Sequence, residues 1–239
     1  MFKKIILSLV AGVALSAGSA QAAVITGGSA LLNQDNVDQL GTWLGQRVDL
    51  TKIYTKQSGN TSYDFHAAVD GQGATFFVMQ ATDRNTGVTG LVGGYNPQSW
   101  SSYSGYNYSY GVADRSAFLF NLSTTSVFTQ KTDNSYYWVD QGIYQTYNAG
   151  YVGPTFGGGH DLYVAADLTY AYSNLWSYAT TTGANNILGN GAYYNDWRIG
   201  GLEVFTFAAE RNDVPEPASL ALFAIALGGL AATSRKRST

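Results

Sequence analysis

The chain has 239 residues, with 28 glycines, 18 tyrosines, 11 phenylalanines and 5 tryptophans, no cysteine, 12% charged residues and a formal charge of −3. This length suits one ordinary domain with appendages. The balance excludes a chain disordered throughout and a basic nucleic-acid binder, and the missing thiols exclude a disulfide scaffold or thiolate metal site.

Residues 1–22 read as a signal peptide. Lys3 and Lys4 form a positive start, Ile5 to Leu15 an apolar core, and Ala20-Gln21-Ala22 a cleavage site that places the cut after Ala22. Gly27 to Asn33 reads as an extended lead-in. From Asp35 to Leu44, Val37, Leu40, Trp43 and Leu44 recur at spacings of three and four, one face of a short helix that Asn33 or Asp35 can cap and Gly41 weakens. Ser62 to Val69 reads as a second short helix closed by Asp70-Gly71. Strand patterns follow at Ala74 to Ala81, Val88 to Tyr95, Ala117 to Leu122, Tyr136 to Val139, Ile143 to Tyr147, Leu162 to Ala165 and Gly200 to Phe207. Asn190-Gly191 is a hairpin signal. The expected fold is mainly β, a β-sandwich of two antiparallel sheets with a few short peripheral helices, filling residues 30–208 without an internal boundary.

Val214-Pro215-Glu216-Pro217 opens the last segment, residues 214–239, and an apolar run begins at Ala218. As a helix, residues 218–234 would reach about 26 Å, close to the roughly 30 Å of a hydrocarbon core, so a transmembrane helix is expected there. Arg235, Lys236 and Arg237 would hold its end in the cytoplasm. Between the two ends, Ala23 to Val214 carries eight Lys or Arg against fifteen Asp or Glu, a net −7 that disfavours anionic polymers.

The Pro-Glu-Pro sequence, the short apolar run and the basic end together resemble the PEP-CTERM sorting signal. The resemblance implies export through the inner membrane of a Gram-negative bacterium, processing by an exosortase near Pro215–Pro217, and a mature protein at the cell surface or in the extracellular matrix. Membrane attachment through the C-terminal helix would then precede processing.

Further motifs follow one another through the domain: Asp64-Phe65-His66, Asp70 to Gly73, Gly93-Gly94-Tyr95 with Trp100, and Ala117 to Phe120. Then come GPTFGGGHDL at Gly153 to Leu162, Tyr172 to Leu175, and Glu203-Val204-Phe205. In residue type and order these are similar to TLDc-domain proteins. The resemblance implies a sandwich of two antiparallel sheets, with Phe65, His66, Gly93, Gly94, Gly157, Gly158, Gly159, His160, Asp161 and Glu203 as the family's motif residues. In eukaryotes such domains protect against oxidative stress and bind the vacuolar ATPase, a cytosolic partner that an exported bacterial protein does not meet. Val69 stands where many members carry a cysteine, so a thiol-based role has no group to carry it here.

Few residues offer chemistry. No G-x-S-x-G accompanies the two histidines, so a serine nucleophile has no elbow. His66 and His160 with Asp161 or Glu203 would hold zinc only if folding gathered them. The plainer reading packs His66 under its helix and sets His160 against backbone groups of a tight glycine turn. Gly157-Gly158-Gly159 is followed by no Lys-Ser/Thr, so it reads as a backbone requirement rather than a phosphate loop. Asp83 to Gly87 reads as a turn. No catalytic residue, metal or cofactor is expected. Trp100 to Gly111 (WSSYSGYNYSYG) is the exception, with alternating Tyr106, Tyr108 and Tyr110. Together with Trp100 these make a candidate platform for sugar rings; the alternative is an edge strand or hairpin whose tyrosines cover the sandwich. The expected function is a non-enzymatic surface or biofilm-matrix protein that binds exopolysaccharide, and a carbohydrate-binding module differs from it only in having one defined ligand. The alternative is an extracellular hydrolase or oxidative-stress-protective enzyme.

Overall fold

The computed structural model describes residues 23–133, 140–179, 185–191 and 196–209. The signal segment, the sorting tail with its expected transmembrane helix, and the strand expected at Tyr136 to Val139 lie outside the described residues. Among the described residues no helix is long and apolar enough to cross a membrane.

The chain opens with β1 (Ile25–Thr26), α1 (Gln34–Leu44), β2 (Val48–Thr55) and α2 (Ser62–Val69). A run of strands follows: β3 (Thr75–Asp83), β4 (Thr89–Asn96), β5 (Gly105–Tyr108), β6 (Phe118–Asn121) and β7 (Ser126–Gln130). It closes with β8 (Tyr144–Asn148), β9 (Leu162–Val164), β10 (Tyr170–Ser173), β11 (Tyr178–Ala179) and β12 (Trp197–Ala209). Both helices stand where the apolar spacing puts them. Asn33 caps α1 through a reciprocal box with Asn36, and Gly45 ends it in a left-handed conformation. Gly41, a weak helix former, is buried because a Cβ there would lie 2.8 Å from the Gln46 carbonyl.

The fold is mainly β, with two sheets. The larger is ordered β1-β2-β12-β3-β4-β6-β7-β11, with β9 and β10 branching from β12; the smaller pairs β5 with β8. The last strand among the described residues is thus central, hydrogen-bonded to β2 on one side and β3 on the other. Pairing is antiparallel except between β1 and β2, which run parallel. Among the described residues Asn190-Gly191 joins no hairpin: β11, which precedes it, pairs with β7, whereas β12, which follows, pairs with β2, β3 and β10. The Asn190 amide instead reaches Asp83 Oδ2 at 2.8 Å.

Strand alternation gives the large sheet two apolar faces. Phe76 and Val78 of β3, with Phe118, Phe120 and Phe205, pack beneath Val37 and Leu40 of α1. Phe77, Met79, Val92, Leu119, Leu202 and Val204 face the other way, onto Phe65 of α2 and a second layer. That layer begins as β5–β8 and continues through single bridges from Thr146 to Phe156 and from Phe156 to Leu162. It then passes through β9 to β10, which returns to β12 at Trp197 and Arg198. A register shift between Val204 and Phe205 leaves Ile53 as an extra residue in β2, which swings Tyr54 onto the second-layer face, away from the side of Val48 and Leu50.

The folded chain reaches back before residue 30. Leu50 N–H donates to the Val24 carbonyl at 2.8 Å, Ala23 is buried, and Ser29 Oγ and Ala30 N–H both donate to the buried Glu203 carboxylate.

Candidate functional site

The motif residues are dispersed. Phe65 meets Trp100 edge-on at 5.6 Å inside the core. His66, on the next position of α2, directs Nδ1 at Asp70 Oδ1 (2.6 Å) and Nε2 at the carbonyls of Ala149 (3.0 Å) and Val152 (3.1 Å). It fastens α2 to the loop after β8. Glu203 lies on the opposite face of the sheet, with Lys52 Nζ at 3.5 Å. Among the described residues no three of His, Asp and Glu gather as a metal would require.

Gly93 and Gly94 are close-approach positions on β4. A Cβ on Gly93 would lie 2.0 Å from the Phe77 carbonyl oxygen and 2.7 Å from the Phe120 ring, and one on Gly94 2.6 Å from the Phe156 ring. In the glycine-rich loop the three glycines differ. Gly157 (φ 78°) and Gly159 (φ 88°) take the left-handed conformation, as does His160 (φ 65°). Gly158 does not; its constraint is steric, since a Cβ would meet the Tyr144 ring at 2.7 Å.

The loop is built around Asp161, which is fully buried. Its Oδ2 accepts from the backbone N–H groups of Trp176 (2.6 Å), Ser177 (2.8 Å) and Tyr178 (2.8 Å), and Oδ1 also faces Ser177 N–H (3.0 Å). Gly157 leaves the space, because a Cβ there would coincide with the Asp161 carboxylate at 1.9 Å. Burial pushes the Asp161 carboxyl up to about 7, and the N–H groups of Tyr178, Ser177 and Trp176 oppose that rise. The residue is an anchor for the turn into β11.

Gly158→Val should therefore lower the melting temperature by roughly 3–10 °C, from an overpacking cost of about 1–3 kcal/mol against Tyr144. His160→Ala keeps the backbone and loses mainly ring contacts, about 1 kcal/mol. Thermal melts of the two variants check this; a Gly158→Val protein melting like wild type would show that the loop is not architectural.

Among the described residues, tyrosines supply an aromatic assembly that faces solvent. Trp100 is not among them. It is 2% exposed, its indole N–H donates to Thr75 Oγ1 at 2.9 Å, and its ring meets Phe156 at 5.5 Å, so it is a core residue. Tyr106 and Tyr108 lie on β5, which is the edge strand of the small sheet, and Tyr110 follows it, 73% exposed and stacked on Tyr108 at 5.3 Å. Burial raises the Tyr106 hydroxyl above its ordinary pKa, and the nearby backbone N–H of Gly159 opposes that rise. Tyr106 meets Tyr144 and Tyr147 at 4.9 Å.

His160 does not turn to backbone groups. Because its own backbone is left-handed, the ring lies outside the loop between Tyr147 (5.3 Å) and Tyr163 (5.5 Å), with Nδ1 3.3 Å from the Tyr172 hydroxyl. Burial lowers its pKa. The aromatic surface therefore continues beyond the segment picked out by sequence, through His160 to Tyr163 and Tyr172. The sequence signal for this part was period-two alternation in Leu162–Val164 and Tyr170–Ser173, with Tyr163, Tyr170 and Tyr172 outward and Leu162, Val164 and Ala171 in the core. Residues Ala20, Ala22, Val214, Pro215, Glu216, Pro217, Arg235, Lys236 and Arg237 lie outside the described residues.

A two-layered, mainly β domain with an aromatic outer face and its motif residues His66, Asp161 and Glu203 tied into the scaffold defines the class. The TLDc domain model matches residues 25–208, and the chain belongs to that family. A PEP-CTERM protein-sorting motif matches residues 213–237. No curated protein matches the chain. The sorting motif indicates export through the inner membrane to the cell surface of a Gram-negative bacterium, with an exosortase as the processing enzyme.

Proposed function

We propose that the mature protein is a non-enzymatic surface or matrix protein whose TLDc domain binds exopolysaccharide through Tyr106, Tyr108 and Tyr110. The proposal includes a signal peptide cut after Ala22, a transmembrane helix at 218–234 that holds the precursor, and exosortase processing near Pro215–Pro217. The observation that carries the reading is the contrast in use of polar and aromatic groups. His66, Asp161 and Glu203 are spent on holding the scaffold together, while Tyr108 and Tyr110 are exposed and Tyr106 is half-buried beside them. Tyrosine rings offer sugars both apolar contact and a hydroxyl.

Pull-down on the producer's own matrix polysaccharide tests this. The double change Tyr106→Ala, Tyr108→Ala should weaken retention about 5- to 150-fold, from roughly 0.5–1.5 kcal/mol per ring. Melts must show both proteins folded. Equal retention of the two would remove the platform, and no retention of either would turn the search to a protein partner.

A further inference from the structure

We propose that the binding face is a row that crosses the strands of the second layer, from Tyr108 to Tyr172, and that it takes a single neutral polysaccharide chain laid along it. This deepens the reading above and rests on it.

The rings are continuous. Centroids step from Tyr108 to Tyr106 (5.9 Å), Tyr147 (4.9 Å), His160 (5.3 Å), Tyr163 (5.5 Å) and Tyr172 (5.0 Å). They draw on β5, β8, the glycine loop, β9 and β10, so the row runs perpendicular to the strands. At about 4.8 Å between neighbouring strands it spans on the order of 20 Å, the reach of an extended chain rather than of one sugar. Sequence-distant residues meet here, and none of these contacts is needed to fill the core.

The chemistry of the row selects its occupant. In the four strands seven residues are tyrosine and none is charged. His160 and Tyr163 lie 11° from parallel and Tyr163 and Tyr172 28°, so these rings cover one another's faces and meet solvent with their edges. Ring edges with phenolic hydroxyls donate and accept hydrogen bonds, which suits a polymer whose repeating groups are hydroxyls. At the β5 end Tyr110 is stacked on Tyr108 at 17° and, among the described residues, on no other ring, so its outer face can take a sugar ring. An anionic polymer meets no cation in these strands and a domain of net −7. A neutral glycan is left.

The test uses the processed protein purified from the surface of the producing cells. Its affinity for cello-, manno- and xylo-oligosaccharides is measured by calorimetry, comparing each disaccharide with its hexasaccharide. In at least one series the hexasaccharide should bind about tenfold tighter or more, because it adds contacts along the row at little further orientational cost. Tyr163→Phe with Tyr172→Phe keeps the rings and removes two hydroxyls; it should cut hexasaccharide affinity about fivefold and leave the disaccharide within about twofold. Tyr163→Ala with Tyr172→Ala should cut hexasaccharide affinity further, and the phenylalanine pair carries the test if that variant does not fold. Equal affinity for short and long chains, or no loss in the phenylalanine pair, overturns the row and leaves the Tyr106–Tyr110 platform standing. Failure of every oligosaccharide, together with no retention on the native polysaccharide, overturns both readings. A protein that self-associates until Tyr163 or Tyr172 is changed, and binds no glycan, makes the row an interface between copies and also overturns the proposal.

Discussion

Asp161→Ala should leave the domain unable to fold, or should lower its stability by about 3–9 kcal/mol. It strips the acceptor from the N–H groups of Trp176, Ser177 and Tyr178, and a buried donor without a partner costs about 1–3 kcal/mol. Whole domains hold only about 5–15 kcal/mol. Asp161→Asn keeps one oxygen for the N–H groups and should recover part of the loss. The same pair of proteins reads the titration of Asp161. With its folded pKa raised from 3.8 to about 7, the folded chain holds a proton there that the unfolded chain has released. The contribution to stability is therefore full below about pH 4 and is lost as pH rises toward 7. His160 runs the other way: its lowered pKa makes the unfolded chain take up the proton first, so its contribution falls as pH drops through the region of 6.5. Asp161→Asn removes only the first of these. The melting temperature of wild type minus that of Asp161→Asn should shrink between pH 4 and pH 7, and a difference constant with pH would refute the raised carboxyl.

The second large effect is expected at Gly93→Ala. The added Cβ would sit 2.0 Å from the carbonyl oxygen of Phe77, the residue before its partner Val78 in the β3–β4 ladder, and 2.7 Å from Phe120. A side chain can turn away from such a contact, but a carbonyl within a ladder cannot move without breaking hydrogen bonds on both sides of β3. The cost should meet or exceed the roughly 1–3 kcal/mol usual for overpacking, a fall of at least about 3–10 °C in melting temperature. Urea unfolding of Gly93→Ala beside Gly71→Ala separates sterics from backbone preference, because Gly71 has positive φ (72°) and open space around it. If Gly71→Ala proves the more damaging, the close approach at Gly93 is not what that position requires.

The sequence was most legible where one face of an element is apolar. Both helices follow from such spacing, while the strand near Ala74 to Ala81 shows instead as a continuous apolar run, being buried on both faces. β2 gave no such signal. Asp49 and Lys52 interrupt it, Lys52 because it pairs with the buried Glu203, and the extra residue Ile53 shifts the alternation halfway along. β10 (YAYS) and β7 (SVFTQ) are short; each pairs with the strand just before it, β9 and β6, and on its other side with a distant one, β12 and β11, which no local pattern announces. The candidate site was half legible. Tyr106, Tyr108 and Tyr110 stand out by composition, but so does Trp100, and nothing local says that its indole finds Thr75 and a slot beside Phe65. Asp161 was missed as an anchor because its partners lie 15 to 17 residues on. His160 joins the tyrosines through a left-handed backbone that histidine rarely adopts, which spacing does not encode.

The central position of β12 has a consequence for timing. β2 and β3 are made early, yet the strand between them is the last of the domain, ending at Ala209, and the sorting motif begins at residue 213. Until that strand emerges, β2 has only the two-residue β1 beside it and β3 bonds on one side only, so the large sheet cannot close. Such distant pairing is slow, since the loop must close before any contact rewards it. The polypeptide thus stays pliable for nearly the whole of its synthesis and becomes rigid only as its address tag appears, which leaves folding and delivery to compete within the same short interval.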